Sequence, residues 1–383
     1  MKIAWDFSIT RDVQEAVMRV LREDKFEGHE QEEALEKEFC NYFGRKYAIA
    51  VSSGTAGLHT ALLACGVGED DEVIAPPNTD WSILYSILYV HAKPVFCDVE
   101  DETMNLDPSK IEEKITPKTK AMLTVSTAGH PVDFDEVAEI ARRHNLMIVN
   151  DGAQALGAKY KGKFCDALGD ISVTSFNNRK HISAANLGII TTDNEEFAEA
   201  ARAYSHQGAD LLYYQGGDPI QKHIHPSYQS SERYGYRYGA SELHCAIARI
   251  QLKKFIDGPL GPERRRKIAA YYTKLVNERL PNIRTPIEKD WAYHTYLRYV
   301  IRTRDRNKLF EYLTRKKIRT FIHYPTPLHT FKIFTRRWGS CEGMFPVTEN
   351  MANEVLTLPS WVTLTRTQVN YVVKSIVEFY KSK

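Results

Sequence analysis

Lys180 ends the run ISVTSFNNRK, and Asp151 ends MIVND 29 residues earlier. A lysine amine held beside a strand end forms an imine with an aldehyde, and a carboxylate at a neighbouring strand end keeps a ring nitrogen protonated. Upstream, VSSGTAGLHTAL places Ser53, Gly54, Thr55 and Ala56 between a strand and the start of a helix. Backbone N–H groups and the helix dipole favour an anion there. Gln154 follows Asp151 closely enough to donate to a ring oxygen or lie over a ring face, and Ser175 adds a hydroxyl ahead of Lys180. Each has an ordinary reading when taken alone: an N-cap, a turn serine, a solvated lysine. Taken in order on successive strand–helix units, they form an anion turn, an acid and an amine. Pyridoxal 5'-phosphate (PLP) requires that combination.

The elements that carry these residues alternate from Tyr47 to about Thr192. Strands are expected at YAIAVSS, DEVIAPP, KPVFCDV, KAMLTVS, LMIVND, DISVTSF and LGIITTD, from their short β-branched and apolar runs. Helices are expected at AGLHTALLACG, WSILYSILYVH, PSKIEEKI, VDFDEVAEIARRHN and NEEFAEAARAY. This pattern predicts an α/β fold with a mostly parallel seven-stranded sheet, its ligand site at the carboxyl ends of the strands. Residues 209–240 interrupt the pattern with a Tyr-, Gln-, His- and Gly-rich stretch, read as an inserted loop. ASELHCAIARIQLKKF follows as an amphipathic helix, and GPLGPE marks a boundary. The expected division is a large cofactor-binding domain, 1–257, and a smaller C-terminal α/β domain, 258–383, with elements at YLRYVIRT, RNKLFEYLTRKK, IRTFIHY and TRTQVNYVVKSIVEFYK.

Composition narrows the class. The 383 residues are 43% hydrophobic, and Lys+Arg 51 against Asp+Glu 49 leaves a net charge of +2. No bulk field draws nucleic acid or an anionic membrane. The RRRK cluster from Arg264 to Lys267 reads as a solvated helix face. Six scattered cysteines form no CxxC pair and have no histidine at metal spacing, so neither zinc nor a disulfide framework is expected. No apolar run approaches ~18 residues and the N-terminal segment lacks an apolar signal region, so a cytoplasmic location is expected.

The series SSGTAGLHTALLACGVGEDDEVIAPPNT, AKPVFCDVEDETMNLDP, GAQALGAKYKGK, GDISVTSFNNRKH, SELHCAIARIQLKKF and IHYPTPLH resembles the DegT/DnrJ/StrS sugar aminotransferases of the fold type I PLP superfamily. The resemblance runs from about Lys25 to near the C-terminus. It implies that Lys180 forms the imine with the cofactor, Asp151 bonds its pyridine nitrogen and Gln154 sits near its ring oxygen. Thr55 and Ala56 match the phosphate turn, and Ser175 matches its hydroxyl donor. A homodimer with shared active sites is implied as well. So is transfer of an amino group from glutamate or glutamine to a keto sugar, usually nucleotide-linked, or to a keto cyclitol.

The chain also departs from the family pattern. Asn186 stands at a position usually glutamate, in AANLG, where only Gly188 of a GEGG stretch is kept. Arg237, in GYRYG, replaces an asparagine that reaches the partner's cofactor phosphate, a role that arginine's bidentate fork also suits. Asp80 stands where an aromatic ring usually stacks on the cofactor; it is read as a helix cap, leaving Trp81 or a borrowed tyrosine for stacking. Tyr213, Tyr214, Tyr228, Tyr234, Tyr236 and Tyr238, with His223 and His225, suit a polyhydroxylated substrate or a subunit interface. His323 and Tyr324 match a motif at the site's mouth. Two competing readings remain at this level. One is a sugar dehydratase using PLP or its amine form, a branch with histidine in the lysine position, for which His181 lies next door. The other is a non-catalytic regulatory relative.

Overall fold

The computed structural model describes residues 3, 9–23, 25, 28–208 and 234–382. All seven expected strands form one sheet: β1 (Tyr47–Val51), β2 (Glu72–Ala75), β3 (Lys93–Phe96), β4 (Thr119–Val125), β5 (Met147–Asp151), β8 (Ile171–Ser175) and β9 (Gly188–Thr192). Their order is β1-β9-β8-β5-β4-β2-β3. Side chains alternate between faces, as strand geometry demands. Val73 and Ala75 pack on one side with α3 (Gly54–Ala64), α4 (Trp81–Tyr89) and α6 (Glu195–Ser205), while Ile74, Met122 and Ile148 meet α5 (Phe134–His144) on the other. With helices on both faces, the strands can be apolar almost throughout.

β9 alone runs against its neighbours. A loop without a helix joins it to β8, and parallel pairing would require a crossover. Its first residue, Gly188, is therefore in register with both Val51 and Ser175. Three strand ends meet there, beside the turn that opens α3.

The helices α1 (Arg11–Arg22) and α2 (Glu30–Phe43) pack on α7 (Glu242–Asp257). Beyond α7, α8 (Pro262–Arg279), α9 (Arg306–Arg315) and α12 (Arg366–Lys381) surround a two-stranded sheet of β11 (Tyr299–Arg302) and β12 (Val355–Leu358). Ile3 joins this second cluster and bridges Ile318. Between β11 and β12 come α10 (Lys332–Trp338) and α11 (Pro346–Glu354). A small sheet of β6 (Lys159–Tyr160), β7 (Lys163–Phe164) and β10 (Ala292–Tyr293) completes the fold.

Two local expectations fail. PSKIEEKI forms two 3₁₀ turns, Pro108–Lys110 and Glu112–Lys114, joined at Ile111, the tighter winding that short connecting pieces commonly take. IRTFIHY forms single bridges, Ile318 to Ile3 and Phe321 to Thr357, in place of a ladder. Most of the 209–240 insertion, with Tyr213, Tyr214, His223, His225 and Tyr228, lies outside the described residues. No helix among the described residues is long and apolar enough to cross a membrane.

Candidate active site

A cavity of about 750 Å³ opens at the carboxyl ends of the strands. Ser53, Gly54, Thr55, Trp81, Asp151, Gln154, Ser175, Lys180, His323 and Tyr324 all line it, as do Asp80, Asn186 and several residues that sequence reasoning passed over, among them Arg179, Arg298 and Phe321. Ala56, Tyr236 and Arg237 do not line it.

The floor is the β1–α3 turn. Ser53 is the N-cap, its Oγ accepting from the Ala56 N–H at 3.1 Å, so that N–H is already used within the turn. The first N–H groups of a helix have no partner within it, which leaves those of Gly54 and Thr55 for an anion. A Cβ on Gly54 would sit 2.8 Å from the Ser175 Cβ, and one on Gly188 would sit 2.5 Å from the Ser53 carbonyl oxygen. The two glycines let the turn, Ser175 and the start of β9 close into a bare backbone cradle.

Asp151 is almost fully buried, and one of its oxygens accepts from the Ala153 N–H at 2.9 Å. Burial raises its pKa to about 6, against the opposing pull of the Lys180 charge. Lys180 is shifted the other way: removal from water lowers its pKa, and the Arg298 charge adds to the effect, against Asp151 and Asp80. His181, by contrast, does not line the cavity. It is buried, with its ring edge-on to Phe255 at 6.0 Å and its pKa driven well down by burial.

Gln154 is held from three directions. Its Oε1 accepts from the Ala128 N–H at 3.0 Å and from Arg298 Nη1 at 2.6 Å, while its Nε2 donates to the Tyr324 hydroxyl at 3.4 Å. Arg298 Nη1 also donates to that hydroxyl, at 3.1 Å. His323 pairs with Thr357 at 3.0 Å and is neutral, because burial and the nearby Arg298, Arg179 and Lys180 charges push its pKa down to about 2. Asp80 caps α4 through the Ser82 N–H at 3.0 Å, as expected, and Trp81 stands 63% exposed at the rim. Tyr236 stacks on Tyr238 and meets His59 edge-on, whereas Arg237, between the two tyrosines, is exposed.

Arg298 gives little signal in sequence, since an arginine opening the strand LRYVIRT resembles any strand-edge cation. Only a contact across 144 residues brings it to Gln154.

The donor set fits PLP. A buried carboxyl that forms no direct ion pair among the described residues suits a protonated ring nitrogen, a lysine with a lowered pKa suits an aldehyde, and the open turn with Ser175 suits a phosphate. Fold and site together define a PLP-dependent aminotransferase of the fold type I class. The comparisons narrow this further. The sequence pattern of the DegT/DnrJ/EryC1/StrS aminotransferase family matches residues 8–377. The chain is similar to the "Pleiotropic regulatory protein" of Geobacillus stearothermophilus, 35% identical over 97% of this chain and 95% of that one. It is also similar to the GDP-perosamine synthase of Escherichia coli O157:H7, 34% identical over 91% and 90%. Among solved structures, S. venezuelae DesV in complex with a ketimine intermediate matches with a TM-score of 0.87 and 31% identity, covering 96% of this chain and 94% of that one. The chain belongs to the DegT/DnrJ/EryC1/StrS aminotransferase family, and its cofactor is PLP.

Proposed function

We propose that this aminotransferase moves an amino group from glutamate or glutamine to a keto sugar, nucleotide-linked as in the names of relatives such as GDP-perosamine synthase, with a keto cyclitol as the alternative acceptor. The observation that carries the reading is the pairing of Lys180 and Asp151 across one cavity, their pKa values moved in opposite directions. Support for a sugar acceptor comes from the similarity to GDP-perosamine synthase.

When bound, PLP supplies an electron sink for the charge left when a proton leaves the donor's α-carbon. The protein's residues do the rest. The Lys180 Nζ would move that proton, and burial shifts its pKa downward, in the direction such a base needs. Asp151 would hold the proton on the ring nitrogen. The Gly54 and Thr55 N–H groups and the Ser175 hydroxyl would hold the phosphate, Gln154 would meet the ring's oxygen edge, and Trp81 or a tyrosine borrowed from a partner would cover a ring face. His323 and Tyr324 form the wall toward the substrate.

The partner we propose is a second copy of the chain. Trp81, Tyr85 and Tyr89 form an exposed aromatic stripe along α4, with Tyr236 nearby, and exposed Arg237 is free to reach a partner's cofactor. The six cysteines are free thiols, in keeping with the cytoplasm.

The dehydratase reading needs a histidine where Lys180 faces the cavity, and His181 is packed elsewhere. A regulatory reading draws on the name of the Geobacillus relative, yet gives the acid and amine no task.

The test is spectroscopic. Wild type with PLP should show a visible band that borohydride fixes to Lys180 and glutamate bleaches, and Lys180→Ala should lose the covalent link. A wild type that holds PLP only reversibly would sink the proposal. Screening keto sugars and inososes against the pyridoxamine-loaded form identifies the acceptor.

A further inference from the structure

The side-chain amide of Gln154 is oriented by its partners. Two donors, the Ala128 N–H at 3.0 Å and Arg298 Nη1 at 2.6 Å, converge on one corner of it, and only an oxygen accepts both. Nε2 therefore takes the other corner, where its acceptor among the described residues is the Tyr324 hydroxyl at 3.4 Å. An amide nitrogen carries two hydrogens, so a second N–H remains to donate within the cavity that Gln154 lines.

The Ala128 N–H reaches the oxygen corner because the backbone there is left-handed. Ala128 has φ 57° and ψ 4°, inside the 3₁₀ turn Thr127–Gly129 that follows β4. This region is unfavourable for any residue with a Cβ and persists only where its surroundings enforce it. Here they do so from two sides. Asn105 clamps the turn, its Oδ1 accepting from the Thr127 N–H at 2.8 Å and its Nδ2 donating to the carbonyls of His130 and Pro131 at 3.2 and 2.7 Å. From the segment before β11, the Thr295 and Arg298 N–H groups donate to the carbonyls of Gly129 and Ala128 at 3.0 and 3.3 Å. The Ala128 methyl packs among Val99, Met104, Val300, Met351 and Val355. Ala128 is buried and does not line the larger cavity, so it meets the site only through Gln154 and Arg298.

We propose that Ala128 is a positioning residue: its left-handed N–H fixes the Gln154 amide so that Nε2, and not Oε1, faces the cofactor's ring oxygen. This deepens the PLP reading above and rests on it. A donor at that oxygen holds its negative charge, and the neighbouring imine nitrogen then releases its proton at lower pH. An amide turned the other way would set two oxygens against each other.

The test is a pH titration of the visible band in the PLP-loaded full chain. Gln154→Ala should raise the midpoint by about 0.4–1 unit, the equivalent of one hydrogen bond. Ala128→Val, whose β-branched side chain disfavours the left-handed region, should shift it in the same direction. Ala128→Gly keeps the N–H, adopts positive φ freely and should titrate as wild type does. Asn105→Ala loosens the turn without adding bulk, and it carries the test if Ala128→Val does not fold. In a Gln154→Ala background neither Ala128→Val nor Asn105→Ala should move the midpoint further, since the route to the cofactor is already cut. A purely structural role would lower stability in urea and leave the midpoint in place. The proposal is overturned if Gln154→Ala titrates as wild type, if the folded turn variants do, or if they shift the midpoint equally with and without Gln154. The PLP reading fails separately, when wild type shows no band that borohydride fixes to Lys180.

Discussion

Replacing Gly188 with alanine tests the cradle directly. The added Cβ would lie 2.5 Å from the Ser53 carbonyl oxygen, 2.6 Å from its carbonyl carbon and 2.8 Å from the Gly54 nitrogen. All three are backbone atoms, so no side chain can rotate away. The closest is about 0.9 Å inside ordinary contact, which begins at 3.4 Å, and either the turn or the start of β9 has to move by roughly that much. Overpacking of this kind costs about 1–3 kcal/mol, and a misplacement near 1 Å in a positioning element is worth on the order of 100-fold in function. Two assays follow: urea unfolding without cofactor, and PLP titration by absorbance. Gly188→Ala should lose stability by about 1–3 kcal/mol and bind PLP at least about tenfold more weakly. Gly68→Ala is the control, since its Cβ would meet nothing within 4 Å. Wild-type PLP affinity in a folded Gly188→Ala protein would refute the placement of the phosphate at this turn.

Asp151→Asn should have opposite effects with and without cofactor. The folded pKa of Asp151, about 6, lies above the ordinary 3.8, so between those values the folded chain binds more protons than the unfolded one. The Asp151 contribution to the stability of the PLP-free protein therefore falls as pH rises from about 4 to about 6, and its cost, up to about 3 kcal/mol, is full above that window. Asp166, raised to about 6 by burial, contributes in the same direction. Asp151→Asn should remove the Asp151 contribution from the pH dependence and stabilise the PLP-free protein at pH 7 while weakening PLP binding; an unchanged pH dependence in urea melts would contradict the burial argument. Tyr85→Glu should weaken self-association by on the order of 100-fold in sedimentation, by placing a charge in the aromatic stripe; wild type sedimenting as a monomer would remove the proposed shared site.

The sheet was legible because seven short apolar runs, buried on both faces, leave few other arrangements. Lys180 and Asp151 were legible from their order along successive strand ends. Asp80 read correctly as a cap because that bond is local, two residues long. Contacts made across the fold escaped notice. Arg298 reaches Gln154 and Tyr324 from the segment just before β11, and Phe321, expected in a strand, instead lines the cavity and bridges Thr357 singly. Periodicity carries no information about such partners. The 3₁₀ turns at Pro108–Lys110 and Glu112–Lys114 were misread for a different reason: their composition suits a helix, and composition does not separate α from the tighter 3₁₀ winding.

The reversed strand β9 also dictates an order of assembly. β1 and β8 have no hydrogen-bonded partnership with each other, and only β9, made last of the seven, joins them. A chain emerging N-terminus first therefore carries Ser53 and Gly54 for more than a hundred residues of synthesis before Gly188 arrives to close the cradle. Joining β1 to its partner closes a long loop, a slow, late step for a sheet. Until then the nascent protein has a lysine and an acid but no finished seat for a phosphate, so cofactor capture belongs to the end of folding and can lock the completed sheet.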